Sequence, residues 1–111
     1  ANISPAEVER ELRSHPQVRD VLCVGVPDPL MGERLAACVV ARGPQAPTLD
    51  ALGGHLTARG LDRRKHPERL LVVGELPLTP AGKPDRAALR ERLAGSSRAG
   101  VPEDAPLTQA G

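Results

Sequence analysis

The 111-residue sequence has no Phe, Tyr or Trp, one Met and two Cys. Without rings there are no platforms on which bases could stack, which excludes the usual single-stranded nucleic-acid modules. No apolar stretch approaches the ~20 residues of a membrane-spanning helix. No basic segment followed by an apolar one opens the chain, so no signal peptide is visible. Charge of neither sign is in excess: 15 basic residues face 14 acidic ones, a net charge of +1. Charge alone therefore points to neither a nucleic acid nor a membrane surface. The expectation is a cytoplasmic protein with no nucleic-acid partner and no membrane span. The chain begins at Ala1 rather than Met and reads as a piece of a longer one.

Scarcity of ligand-type residues excludes more. Cys23 and Cys38 lie inside apolar runs rather than in C-x-x-C or Cys/His clusters. They read as small buried hydrophobes in a reducing compartment, and a disulfide would require the two runs to pair as a hairpin. His15, His55 and His66 have no ligand spacing, so no metal site is expected. The core must be aliphatic, built from Leu, Val and Ala, and one domain is all that the length accommodates.

What is present orders itself as helix, strand, strand, helix, strand, helix. Ser4-Pro5-Ala6-Glu7 is a capping box with Pro at the first helical position. Ile3 and Val8 form a staple, so a helix is expected over residues 5–14, ending at His15-Pro16. Val18–Val26 and Arg34–Arg42 are apolar at consecutive positions and read as strands covered on both faces. The connector Pro27–Glu33 is rich in turn formers. Thr48 caps a second helix with Leu49, Leu52 and Leu56 inward, weakened by Gly53-Gly54 and stopped by Gly60. Leu70–Val73 is a short third strand, and residues 85–93 form the last helix. This predicts an α+β domain over residues 1–93, a three-stranded sheet flanked by helices on both faces. Residues 94–111, rich in Gly, Ser, Pro and Ala, read as a disordered tail.

One stretch has the character of chemistry: Pro77-Leu78-Thr79-Pro80-Ala81-Gly82-Lys83-Pro84-Asp85-Arg86. It is not a phosphate-binding P-loop, since Pro77 occupies the leading glycine position and Pro84 stands where Ser or Thr would hold Mg²⁺. Gly82 lets the backbone turn, three prolines restrict the loop, and Lys83 projects as a compact positive charge. Between Arg59 and Arg69 five basic residues face two acidic ones. Such a run is usually a solvated face.

Four motifs follow one another in order: Asn2-Ile3-Ser4-Pro5 with Glu7-Val8-Glu9; Val24-Gly25-Val26-Pro27-Asp28 with Gly32-Glu33; Lys65-His66-Pro67; and Leu76–Lys83. Together, over about residues 2–93, they resemble the small C-terminal domain of the acyl-CoA synthetase, adenylation domain and luciferase superfamily. The resemblance implies an adenylate-forming enzyme, in which a carboxylate attacks the α-phosphate of ATP in the presence of Mg²⁺. Lys83 then matches the lysine that bridges the substrate carboxylate and the adenylate phosphate, with Thr79 and Gly82 as parts of its loop. Asn2 and Ile3 match the segment lining the tunnel for CoA. Arg64 and Lys65 become candidate phosphate contacts. Glu7, Glu9 and Glu33 also recur in the pattern but read as structural residues, in a capping box and in turn contacts.

The partners implied are a large N-terminal domain of the same enzyme, absent from this sequence, a carboxylic acid, and CoA or a carrier-protein phosphopantetheine. Lys83 also resembles a site of reversible acylation by a lysine acyltransferase. The reading is an acyl- or aryl-acid:CoA ligase whose isolated C-terminal piece is inactive. The alternatives are an adenylation domain serving a carrier protein, and a binding module without catalysis. Three residues depart from the family pattern. Ala1 stands where an acidic residue or another member of a Gly-rich loop is usual. Arg64 replaces a frequent aromatic, and Pro84 replaces an aliphatic, which bears on where the last helix starts.

Overall fold

A computed structural model describes residues 4–30 and 32–99, with the side chains of 96–99 left aside. Three helices and three strands follow the expected order: α1 (Pro5–Leu12), β1 (Val18–Asp28), β2 (Gly32–Ala41), α2 (Leu49–Ala58), β3 (Arg69–Val73) and α3 (Arg86–Ala99), with a 3-10 turn at Arg63–Lys65. The sheet order is β1-β2-β3. β1 and β2 form an antiparallel hairpin, and β3 runs parallel to β2. A parallel neighbour requires a crossover, and α2 supplies it.

The consecutive apolar runs are explained by what lies on each side of the sheet. Val21, Cys23, Leu35, Ala37 and Val39 pack with Val8 and Leu12 of α1 and Leu52 and Leu56 of α2. Leu22, Val24, Val26, Ala36, Cys38 and Val40 face the other way, onto Leu71, Leu76 and Leu89 and Leu93 of α3. With strand residues alternating sides, both sets are buried, and helices flank both faces as the sequence predicts.

Both expected N-caps are present. Ser4 Oγ accepts from the Glu7 N–H at 3.4 Å, and Thr48 Oγ1 accepts from the Ala51 N–H at 3.0 Å. The reciprocal half of the capping box is replaced: the Glu7 carboxylate meets Lys65 Nζ at 3.4 Å. Ile3, the other half of the staple, lies outside the described residues.

Three boundaries differ from the sequence reading. α1 ends at Leu12, and Arg13 takes the capping position. The Pro27–Glu33 connector is mostly strand, because pairing continues through Pro27↔Glu33 to Asp28↔Gly32. Proline is tolerated there since β1 is an edge strand and needs no outward N–H. α3 runs on through Gly95 to Ala99. The part of the expected tail beyond it, residues 100–111, lies outside the described residues.

β1 presents an open edge, and side chains occupy it. The Val21 N–H donates to Asp20 Oδ1 at 2.9 Å and the Cys23 N–H to Glu9 Oε2 at 2.8 Å. Arg86 Nη1 donates to the Cys23 carbonyl at 2.8 Å and Arg90 Nε to the Gly25 carbonyl at 3.3 Å. Covered this way, the edge is a poor template for pairing with another strand.

Cys23 and Cys38 are both free and buried. They belong to opposite faces of the sheet, since Cys23 pairs with Ala37 and Cys38 with Leu22. The hairpin condition for a disulfide is met, yet the side chains point apart, which geometry forbids.

Candidate functional site

The Lys83 loop is a small hairpin built from local hydrogen bonds. The Gly82 N–H donates to the Thr79 carbonyl at 2.8 Å, closing a β-turn with Pro80 at its second position, where a fixed φ is favourable. Gly82 stands at φ +84°, in the left-handed region that a side chain would strain. The Thr79 N–H then donates to the Lys83 carbonyl at 2.7 Å, and the Asp85 N–H to the Pro77 carbonyl at 2.9 Å. Leu78 and Pro84 face each other as an isolated bridge. Thr79 acts a second time, its Oγ1 accepting from the Lys83 N–H at 3.2 Å. Thr79, Gly82 and Lys83, singled out in the sequence, are thus parts of one turn.

The loop passes directly into α3. Asp85 caps it, its Oδ1 accepting from the Ala88 N–H at 3.0 Å. Pro84 therefore does not disturb the helix start, because it lies before the cap and contributes only to the hairpin. The Lys83 side chain is exposed and has no hydrogen-bond or ion-pair partner among the described residues. An exposed cation on a braced turn is free to engage an anion that the domain does not itself contain.

The other expected contacts are arranged differently. Arg64 is paired with Asp62 at 3.1 Å and Lys65 with Glu7 at 3.4 Å. The bonds from Arg64 hold the Asp62 carboxyl down to about 2. Arg59 is paired with Glu11 at 2.7 Å. Much of the basic run is therefore neutralised by carboxylates of this chain. Arg63 and Arg64 border an open groove with Gly53, Gly54, His66 and Glu68. Asn2 and Ile3 lie outside the described residues. Among the described residues no three His, Cys, Asp or Glu side chains gather into a metal-ligand set.

One cluster had not been recognised from the sequence as a tertiary contact. Glu9, expected to be a structural residue of the capping box and turns, is 4 % exposed. Its carboxylate receives Arg86 Nη1 on Oε2 and Arg86 Nη2 on Oε1, the latter at 3.4 Å. Arg13 approaches Oε1 at 3.5 Å from the helical turn above. The Glu9 bond raises the Arg86 guanidinium above its usual value. The signal in the sequence was a carboxylate on the inward stripe between Val8 and Leu12, where an unpaired charge is costly.

The model of the AMP-binding enzyme C-terminal domain matches residues 7–83. Triostin synthetase I of Streptomyces triostinicus is 44% identical over 86% of this chain and 18% of its own length. A probable 2-succinylbenzoate–CoA ligase of Mycobacterium tuberculosis is 46% identical over 86% of this chain and 25% of its own length. Among solved structures, an acyl-CoA synthetase of Brucella canis superposes with a TM-score of 0.78 at 33% identity, covering 87% of this chain and 18% of that one. The chain thus spans about a fifth to a quarter of the length of these proteins. With the matched segment running from the capping helix to the exposed lysine, the chain belongs to the family of AMP-binding enzyme C-terminal domains.

Proposed function

We propose that this domain is the C-terminal part of an ATP-dependent acid–thiol ligase of the acyl-CoA synthetase type, and that Lys83 is its adenylation residue. The observation that carries the reading is the Lys83 cation, exposed and without a partner among the described residues, on a turn braced by Thr79, Gly82 and three prolines.

In the proposed first half-reaction a substrate carboxylate attacks the α-phosphorus of ATP. The bond to the pyrophosphate oxygen breaks, giving acyl-adenylate and pyrophosphate. Negative charge accumulates on the phosphoryl oxygens, and a positioned cation in a closed site stabilises it. Lys83 would reach that site only when the domain docks on an N-terminal body that holds the nucleotide and the acid. In the second half-reaction the CoA thiol displaces AMP from the acyl carbon. The domain would rotate to present its other side, including the segment around Asn2 and Ile3, to the pantetheine tunnel. Arg64 would meet a CoA phosphate by exchanging its bond to Asp62, and Lys65 by exchanging its bond to Glu7. Magnesium would arrive with ATP on the larger body. A cytoplasmic setting fits the two free thiols, and the domain alone would be inactive.

A second acceptor is favoured by one comparison. The 39% identity to a salicyl-AMP ligase / salicyl-S-ArCP synthetase of Mycobacterium tuberculosis supports a carrier-protein phosphopantetheine in place of CoA, with the same use of Lys83. Acylation of Lys83 by a lysine acyltransferase would remove the charge and silence adenylation.

The test is Lys83→Ala in the full-length protein. Pyrophosphate exchange is expected to be abolished, while thioester formation from preformed acyl-adenylate continues. Exchange near the native rate would refute the assignment.

A further inference from the structure

We infer that Glu9 and Arg86, together with the backbone N–H and carbonyl of Cys23, form a clasp that sets where the Lys83 hairpin stands on the domain, which makes them positioning residues for the adenylation half-reaction. The inference rests on the proposed role of Lys83 and deepens it.

The bonds within the hairpin fix its shape without attaching it to anything. Thr79 to Lys83, Gly82 to Thr79 and Asp85 to Pro77 are all internal to residues 77–85. Attachment to the body comes from Leu76 on the entry side, which is buried. On the exit side Leu89 is buried too, one turn into α3. Closer to Lys83 than either, counting along the chain toward α3, is Arg86. It is the first residue of α3 and stands three positions after the lysine.

Arg86 is held by two elements at once. Its Nη1 donates to Glu9 Oε2 on α1 and to the Cys23 carbonyl on β1, the second at 2.8 Å. Glu9 Oε2 also accepts from the Cys23 N–H at 2.8 Å. The backbone N–H and carbonyl of one edge-strand residue, one carboxylate and one guanidinium thus close a ring that joins α1, β1 and the start of α3. The planar fork of arginine gives such a contact direction as well as strength.

Local preference argues against this arginine. A cation in the first turn opposes the helix dipole, and the acidic complement at that end of α3 is the Asp85 cap, with none inside the first turn. Nor is a buried ion pair the cheapest way to join two helices, since apolar residues of similar volume commonly do as well. What the pair adds is orientation at the junction where the hairpin leaves the domain. Displacement of a reacting group by about 1 Å, even by changes remote from the chemistry, costs on the order of 100-fold in rate.

The test uses the full-length protein with Glu9→Gln and Arg86→Lys. Glu9→Gln keeps the size of the side chain and an oxygen for the Cys23 N–H but loses the charge. Arg86→Lys keeps a countercharge for Glu9, so the domain folds, but removes the fork. Both are expected to lower kcat for pyrophosphate exchange by roughly 10- to 100-fold. KM for ATP and acid should change little, and thioester formation from preformed acyl-adenylate should stay within about twofold. In the double variant the loss should be no greater than in the worse single one, as for two members of one contact. Equal losses in both half-reactions would mean a merely structural pair and overturn the inference. So would unchanged exchange in both variants when Lys83→Ala abolishes it. Exchange that survives Lys83→Ala removes the reading of the loop, and the clasp with it.

Discussion

Thr79 and Lys83 are bonded to each other twice: the Lys83 N–H donates to Thr79 Oγ1 at 3.2 Å, and the Thr79 N–H donates to the Lys83 carbonyl at 2.7 Å. The second bond belongs to the backbone, so any residue but proline at position 79 retains it. The first requires a hydroxyl. Thr79→Val keeps the branched shape and removes the acceptor, which frees the residue bearing the cation to turn about its own φ and ψ. A bond of this kind contributes about 0.5–1.5 kcal/mol. Its loss depopulates the turn geometry that adenylation requires and should lower pyrophosphate exchange by up to about tenfold. Thr79→Ser should behave nearly as the native protein. Exchange kinetics of the two variants side by side provide the check, and indistinguishable rates would deny the hydroxyl this part.

The two cysteines are expected to be silent toward thiol reagents in the folded protein. Burial is the leading cause for both. It pushes the Cys23 thiol up to about 12, with the neighbouring Glu9 carboxylate acting in the same direction, and the Cys38 thiol up to about 11. Since the thiolate is the reactive form, almost none is available near pH 8, and both sulfurs are shielded by the two apolar layers. Labelling with an aromatic disulfide should follow opening of the domain rather than the chemistry of a native thiolate. It should accelerate with denaturant for both residues together. Oxidants should yield no intramolecular disulfide, because the side chains lie on opposite faces of the sheet. Rapid modification of either cysteine in native buffer would contradict this packing.

What could be read from the sequence divides by range. The caps at Ser4 and Thr48 and the turn at Thr79–Lys83 are each made by residues within four or five positions, and such signals survive in one dimension. The two faces of the sheet were also legible, because a strand apolar at every position has no side to give to water. Pairing past Pro27 was not, since turn-forming composition and a paired edge strand with an unneeded N–H look alike. The extension of α3 over Gly95 was missed for a different reason: propensity disfavours it, yet adding residues to a helix already nucleated and packed through Leu89 and Leu93 costs little. The clasp at Arg86 was out of reach. Glu9 and Arg86 are 77 positions apart, and no spacing rule connects them. Each does break a local preference, Glu9 on an apolar stripe and Arg86 at a helix N-terminus. Two local conflicts that resolve each other mark a tertiary contact.

Stability should also depend on pH through His15, which is buried where α1 turns toward β1. Its Nδ1 accepts the Gln17 N–H at 3.0 Å, so the nitrogen that a second proton would occupy is already in use. Its ring lies 5.0 Å from that of His55, edge to face. His55 Nε2 is 3.0 Å from the Glu11 carbonyl, an oxygen that can only accept, and 2.8 Å from Ser14 Oγ. That nitrogen therefore carries a hydrogen. The Glu11 carboxylate is committed to Arg59, and among the described residues no carboxylate is paired with His15 to favour its charged form. Burial first, and then the charge of His55, lower the His15 pKa below the ordinary 6.5. As pH falls from neutrality the unfolded chain takes up this proton first, so stability rises with pH across that window. The contribution is complete above about 6.5 and is lost as pH drops through the lower folded value. Denaturation midpoints measured between about pH 7 and pH 5 should therefore decline before most carboxylates begin to titrate. His15→Asn is the informative variant, because its side-chain oxygen can accept from the N–H two residues on while carrying no titration. Its profile should be flatter over this range, and a profile that overlays the native one would exclude His15 as the source of the decline.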